Sequence, residues 1–273
     1  MHFAKKLLLV AVCIFALAGQ AFAADIELAQ KSTIESILKR GTLRVGLEPG
    51  YAPFEMTDKK GRIIGFDVDL AKELAKAMGV RLEIVNTDFD GIIPGLLSDK
   101  YDVIISGLTL TQERNLQISF PQPYLTIGQA ILINKNLKDE IKSYRDLNDE
   151  KYTVASCIGT TGEMAAKRMM PKARYKSFDK QPDAAMDVAN GQSDAFVYDL
   201  PYCVVFMAQQ GGKNLVLLDK PFTYEPMAIG IRRGDPDFLN FLNNFQDQLK
   251  ADGRYDRIYK KWIQSTSWFN KIQ

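Results

Sequence analysis

The chain has 273 residues, 46% hydrophobic and 25% charged, with 35 lysines and arginines against 33 acids. That length holds one large domain or two modest ones with an ample core. Near-neutral charge without a long basic run argues against nucleic acid and anionic membrane as partners.

The chain opens on an export signal. Lys5 and Lys6 precede an apolar run from Leu7 to Ala18, and Ala21-Phe22-Ala23 follows as an A-x-A cleavage site. The run is shorter than the roughly 20 apolar residues that span a bilayer. Cleavage is expected after Ala23, which removes two lysines and leaves the two charge signs balanced. The only histidine, His2, goes with the leader. Histidine-dependent triads and histidine metal sites are thereby excluded from the mature chain. Of the cysteines, Cys157 and Cys203 remain, too few for a structural zinc site; whether they pair depends on geometry the sequence does not carry. No cofactor and no metal are expected.

The first helix is expected from the capping box Ser32-Thr33-Ile34-Glu35, with Ile34, Ile37 and Leu38 on its apolar face and Gly41 as its stop. Leu43–Leu47 reads as a strand. The loop Glu48-Pro49-Gly50-Tyr51-Ala52-Pro53-Phe54 follows, and its prolines and glycine keep it irregular, with two aromatics that have no local core face to join. Gly65-Phe66-Asp67 leads into a helix that Asp67 can cap, with Leu70, Leu74, Ala77 and Met78 as its stripe and Gly79 as its stop. Strands are expected at Arg81–Val85 and Val103–Ile105, with a short helix at Ile92–Ser98 between them. This β-α-β-α-β order predicts a parallel sheet covered by helices.

A second α/β unit starts near Gln129. Strands are expected at Ala130–Ile133, Tyr152–Ala155, Ala195–Val197 and Met227–Ile231. Helices are expected at Gly162–Met169, Gln181–Ala189, Pro201–Gln209, Asp237–Ala251 and Arg254–Ile263. Two α/β units without a flexible linker predict packed lobes with a cleft between them. Ligands of such sheets sit at the carboxyl ends of the strands.

Three segments at those ends offer complementary chemistry: Ser106 to Arg114, Ser156 to Gly162, and Tyr198-Asp199. Together they supply a guanidinium, hydroxyls, free N–H groups at a helix start and a lone carboxylate. An α-amino acid zwitterion needs that set, with donors for its carboxylate and an acid for its ammonium. Taken singly, each has a plainer alternative. Arg114 could be a surface ion pair, Asp199 a helix cap, Gly159–Gly162 an ordinary β-to-α turn, and Tyr51 and Phe89 core residues.

The stretch Gly65-Phe66-Asp67-Val68-Asp69-Leu70-Ala71-Lys72-Glu73-Leu74-Ala75-Lys76-Ala77-Met78 resembles the signature of the family 3 extracellular solute-binding proteins, the polar amino-acid binders. Tyr51-Ala52-Pro53-Phe54-Glu55, the stretch from Asp88 to Tyr124 and Asp252-Gly253-Arg254-Tyr255 fit it as well. The resemblance implies an α/β, two-lobed periplasmic-binding-protein fold (type II) with two crossover strands and a ligand cleft between the lobes. It places lobe 1 at residues 24–126 and 228–273, and lobe 2 at 127–227. It further implies that Arg114 pairs with the ligand carboxylate, that Gly107, Thr109 and Thr161 support it, and that Asp199 receives the ammonium. Side-chain selectivity would fall to Glu48, Tyr51, Phe89, Cys157 and Tyr198. In histidine-, lysine/arginine- and glutamine-binding relatives the position of Glu48 is usually an aspartate, and Cys157 and Tyr198 replace the lysine and histidine of the glutamine binder.

A carboxylate at Glu48 favours a basic or amide ligand and repels acidic ones; its plainer alternative is a solvated loop acid or a partner for a nearby lysine. The expected protein is a periplasmic, monomeric, non-enzymatic binder that delivers an amino acid to the permease subunits of an ABC transporter. Two rivals stand beside it. One is a sensor that presents its ligand to a chemoreceptor or sensor kinase, and the other is a periplasmic cyclohexadienyl dehydratase.

Overall fold

The computed structural model describes residues 32–210, 214–218 and 220–272. The expected signal peptide and its cleavage site lie outside the described residues. Helix α1 (Thr33–Arg40) ends on Gly41 in the left-handed region, as expected. The capping box does not form, because Ser32 makes no side-chain cap. Instead the Thr33 amide donates to Asp235 Oδ2 at 2.7 Å, and Asp235 Oδ1 accepts from Phe238 N at 3.0 Å. One carboxylate thus satisfies the open N–H groups of two helices. Ile37 is fully buried while Leu38 is exposed, so the buried face is narrower than the pattern suggested.

Strand β1 (Thr42–Leu47) leads into the proline loop, then the small hairpin β2 (Met56–Thr57) and β3 (Ile63–Ile64). Phe54 and Tyr51 do join a core: Phe54 packs on Tyr51 and on Phe66 with ring centroids at 4.8 and 6.1 Å. Helix α2 (Phe66–Ala77) follows, and its N-cap is Gly65 rather than Asp67. A Cβ at Gly65 would lie 1.9 Å from the Phe54 carbonyl oxygen, with φ at 150°, so only glycine allows the proline loop to sit over the helix start. Strand β4 (Arg81–Asn86), helix α3 (Ile92–Leu97) and strand β5 (Val103–Ile104) complete the unit. The sheet order is β4-β1-β5, all parallel, with Val45 opposite both Ile84 and Val103.

After the one-turn helix α4 (Gln112–Asn115), strand β6 (Leu125–Ile127) carries the chain to the second lobe. There β7 (Gln129–Asn134), β8 (Thr153–Cys157), α5 (Thr161–Met169), β9 (Arg174–Phe178), α6 (Gln181–Ala189), β10 (Ala195–Asp199), α7 (Leu200–Gln210) and β11 (Leu215–Leu218) follow in order. They form a five-stranded sheet, β11-β7-β10-β8-β9. Strand β12 (Glu225–Met227) pairs antiparallel with β6, with Thr126 opposite Pro226. The expected strand at Met227–Ile231 is thus mostly a return path, in which Gly230 bridges to Ile104 of the first sheet. Helices α8 (Pro236–Ala251) and α9 (Arg254–Tyr259) close the chain onto the first lobe, where Arg254 Nη1 reaches Glu73 Oε2 of α2 at 2.9 Å. The fold is the two-lobed arrangement with two crossover strands.

An aromatic seam joins the lobes. Tyr51 meets Tyr198 of β10 edge-on at 5.6 Å and 87°, and lies 6.2 Å from Tyr202 of α7. Such aromatic pairs contribute about 0.5–1.5 kcal/mol beyond the area they bury.

Candidate functional site

Between the carboxyl ends of the two sheets lies a narrow, largely closed space. Its wall is made by Tyr51, Phe89, Gly107, Thr109 and Arg114 from the first lobe and by Gln129, Thr160, Thr161, Tyr198 and Asp199 from the second. Eight of the ten positions singled out in the sequence are brought together here. Glu48 and Cys157 lie apart from that wall. Cys157 is the buried last residue of β8, and both Cys157 and Cys203 are free thiols.

Arg114 is 4% exposed and spans the cleft. Its Nη1 donates to the Thr109 carbonyl at 2.8 Å and its Nη2 donates to the Gly159 carbonyl of the opposite lobe at 2.9 Å. The guanidinium lies over the Phe89 ring, 5.5 Å from its centroid, which adds a cation–π attraction. Burial pulls its pKa down to about 10, against the raising effect of Glu225 and Asp199, so it stays a cation at neutral pH. The local fold supplies this geometry: Thr111 caps the single turn of α4 by accepting from Arg114 N at 3.1 Å.

Thr109 Oγ1 and Thr161 Oγ1 face each other at 3.5 Å across the same gap. Thr161 opens α5 behind its N-cap Thr160, whose hydroxyl donates to Cys157 O at 2.7 Å and accepts from Glu163 N at 3.3 Å. The turn before the helix is pinned as well, since Gly159 N donates to Glu163 Oε2 at 2.7 Å. Hydroxyls and a helix start therefore stand beside the guanidinium, an arrangement suited to a carboxylate.

Opposite them, Asp199 is the last residue of β10 and is buried. Among the described residues no helix N–H donates to its side chain. The Tyr51 hydroxyl donates to Oδ2, and Gln129 Nε2 donates to Oδ1 at 2.5 Å. Burial pushes its pKa up to about 7, Tyr51 and Gln129 hold it back, and the charge of Glu225 adds to the rise. A buried carboxylate with neutral donors is suited to receive a cation.

Glu48, at the end of β1, makes a different set of bonds. Lys180 Nζ of the second lobe reaches its Oε1 at 2.8 Å, and Gln181 Nε2 donates to its Oε2 at 3.0 Å. Lys180 also reaches Asp88 Oδ1 at 2.7 Å, and Gln181 donates to the Tyr198 hydroxyl at 2.9 Å. The carboxylate thus has a lysine of the opposite lobe as its partner. Burial alone would lower the Lys180 ammonium, but its bonds to Asp88 and Glu48 hold it above the ordinary lysine range.

Gln129, Lys180 and Gln181 are not singled out by the sequence, and Thr160 only as part of the segment Ser156 to Gly162. Lys180 and Gln181 follow β9, an edge strand whose residues Arg-Tyr-Lys-Ser-Phe are too polar and too exposed to alternate visibly. Both lie just past the carboxyl end of that strand, where ligands of such sheets sit.

Residues 43–265 match the bacterial extracellular solute-binding proteins, family 3. The chain belongs to that family. Among similar solved structures, a Wolinella succinogenes protein described as an ABC-transporter binding component complexed with lysine is 53% identical. That likeness covers 85% of this chain and all of the other, with a TM-score of 0.82. An ancestral amino acid-binding protein, a precursor of cyclohexadienyl dehydratase, is 47% identical over 85% of this chain and 99% of its own, with a TM-score of 0.80. The Escherichia coli ABC transporter arginine-binding protein 1 is 32% identical over 224 residues, 81% of this chain and 90% of that protein. The solute-binding family acts by capture rather than by turnover.

Proposed function

We propose that this family 3 protein binds a basic or amide-bearing L-amino acid between its lobes and delivers it to an ABC transporter from outside the cytoplasmic membrane. One observation carries the reading: the buried Arg114 and the buried Asp199 face one space from opposite walls, with Thr109 and Thr161 beside the arginine. The ligand carboxylate goes to Arg114 and the threonine hydroxyls. The ammonium goes to Asp199, and Tyr51 and Gln129 orient that carboxylate. The side chain extends along Phe89 and Tyr198 toward Glu48. Lysine in the Wolinella structure and arginine for the Escherichia coli relative support a basic ligand.

The moving parts are two lobes, 24–126 with 228–273 and 127–227, turning about the β6–β12 pair. Ligand binding shifts the population toward the closed arrangement, because Arg114, Thr109 and Asp199 can all be used only when the lobes meet. The closed monomer then docks on permease subunits, and the leader is removed after Ala23.

The test is thermal unfolding of residues 24–273, refolded free of ligand, against the twenty amino acids, ornithine and prephenate. A ligand that binds only the folded protein raises the melting temperature by mass action. A rise with lysine, arginine, ornithine or an amide is expected. A response to prephenate alone, or to acidic amino acids alone, would sink the reading.

A further inference from the structure

Behind the cavity wall, four loops of the first lobe meet at two carboxyl groups. Glu55 comes from the end of the proline loop and Asp67 from the first turn of α2; neither has measurable exposure. The Ser106 hydroxyl donates to Glu55 Oε1 at 2.6 Å and accepts from Glu48 N at 3.0 Å. The Gly107 amide donates to Asp67 Oδ2 at 2.5 Å, and the Tyr124 hydroxyl donates to the same oxygen at 3.0 Å. Gly107 lines the cavity, and Tyr124 immediately precedes the crossover strand β6.

The remaining oxygens, Glu55 Oε2 and Asp67 Oδ1, are buried and have no donor among the described residues. The charged or titratable groups that act on the pair are Glu48, Tyr51, Tyr124 and Tyr255, none of them a cation. Two buried carboxylates without a cation cannot both be ionised at acceptable cost. A single proton between the two oxygens that lack donors resolves both problems, since it removes one charge and gives the orphaned atoms a hydrogen bond.

We propose that Glu55 keeps its proton at neutral pH and donates it to Asp67, so that the pair acts as one negative charge that positions Gly107 in the cavity wall and Tyr124 at the start of the crossover. The assignment of the proton to Glu55 follows from the donors. Asp67 already accepts from an amide and a phenol, which stabilise its charged form, whereas Glu55 has the Ser106 hydroxyl alone. Burial, and then the Asp67 charge, push Glu55 well above the usual carboxylate range; Asp67 rises only to about 6. The helix signature's first acid is therefore a clamp on the ligand loop, held in its charged form by a protonated partner.

The sign of the linkage is fixed. A carboxyl whose folded pKa is raised stabilises the fold below its unfolded pKa, and that stability is lost as pH rises toward the folded value. Glu55→Gln keeps a donor for Asp67 and an acceptor for Ser106 while removing the proton equilibrium. Relative to Glu55→Gln, the unfolding constant of the wild-type protein should rise about tenfold per pH unit between pH ~5 and the folded pKa. The infrared difference between the wild-type protein and Glu55→Gln at neutral pH should contain a carboxylic-acid carbonyl band; the Asp199 carboxyl, common to both proteins, cancels. Parallel stability–pH curves would overturn the proposal. So would a difference spectrum that contains no acid band. Both measurements are made without ligand, so neither outcome depends on which amino acid the cleft takes.

Discussion

Lys180 and Glu48 stand on opposite lobes and are joined by an ion pair of 2.8 Å at the far end of the cleft. The glutamate side chain is 2% exposed and the lysine 42%, so the pair has one buried and one solvated partner. A basic ligand whose side chain reaches Glu48 competes with Lys180 for the same oxygens. Removing Lys180 should therefore shift selectivity rather than abolish binding. In Lys180→Met, the ratio of lysine to glutamine affinity is expected to rise about tenfold, the effect of unmasking a buried charge. Calorimetric titration of both ligands into both proteins measures it; an unchanged ratio would show that Glu48 does not meet the ligand side chain.

Arg114 holds the Thr109 and Gly159 carbonyls and faces the space where a carboxylate would lie. Arg114→Ala should weaken amino-acid binding by roughly 2–5 kcal/mol, the usual cost of removing one member of a buried charge pair. Arg114→Lys should recover little of it, since a point charge cannot reproduce the planar fork. Isothermal titration, with circular dichroism to show that the fold persists, decides the matter.

Asp199 ties affinity to pH. Its pKa of about 7 belongs to the ligand-free protein, and a bound ammonium would lower it. Affinity is expected to fall about tenfold per pH unit below that value, with a proton released on binding near neutrality. Titrations in buffers of different ionisation enthalpy report that proton. Stability runs the other way: because the folded pKa is raised, the contribution of Asp199 is lost as pH rises from its unfolded value toward about 7. Asp199→Asn should thus gain on the ligand-free wild-type protein between pH ~4 and ~7, by up to roughly 4 kcal/mol. Its ligand affinity should be low and flat with pH.

Gly107 has φ at 51°, and a Cβ there would lie 2.2 Å from a ring carbon of Tyr51. Gly107→Ala must displace the ring that donates to Asp199. A loss of roughly 1–3 kcal/mol in stability is expected from overpacking. A larger loss in ligand affinity should follow, because both walls of the ammonium site move together. Denaturant unfolding beside ligand titration separates the two effects.

Strands β1, β4, β5, β7, β8 and β10 and the long helices are legible in the sequence, and the family resemblance adds eight of the ten positions that come to line one cavity. Strands show as alternation or an apolar run and helices as a 3.6-residue stripe, whereas the individual site positions needed the resemblance to the family 3 signature besides the polar segments just past strand ends. Tertiary structure alone decided which polar groups meet. Asp67 looked like a helix cap from its place before an apolar stripe, yet it turns inward to the Gly107 amide, a residue 40 positions away. Ser32 lost its cap to Asp235, 202 positions from the Thr33 amide that the aspartate accepts from. Lys180 found Glu48 across 132 positions, because an edge strand too polar to notice delivered it to the cleft. Hydrophobic period is written every few residues along the chain, whereas the partner of a buried charge is fixed only when two distant loops are folded against each other, and the cost of leaving that charge unpaired makes the choice.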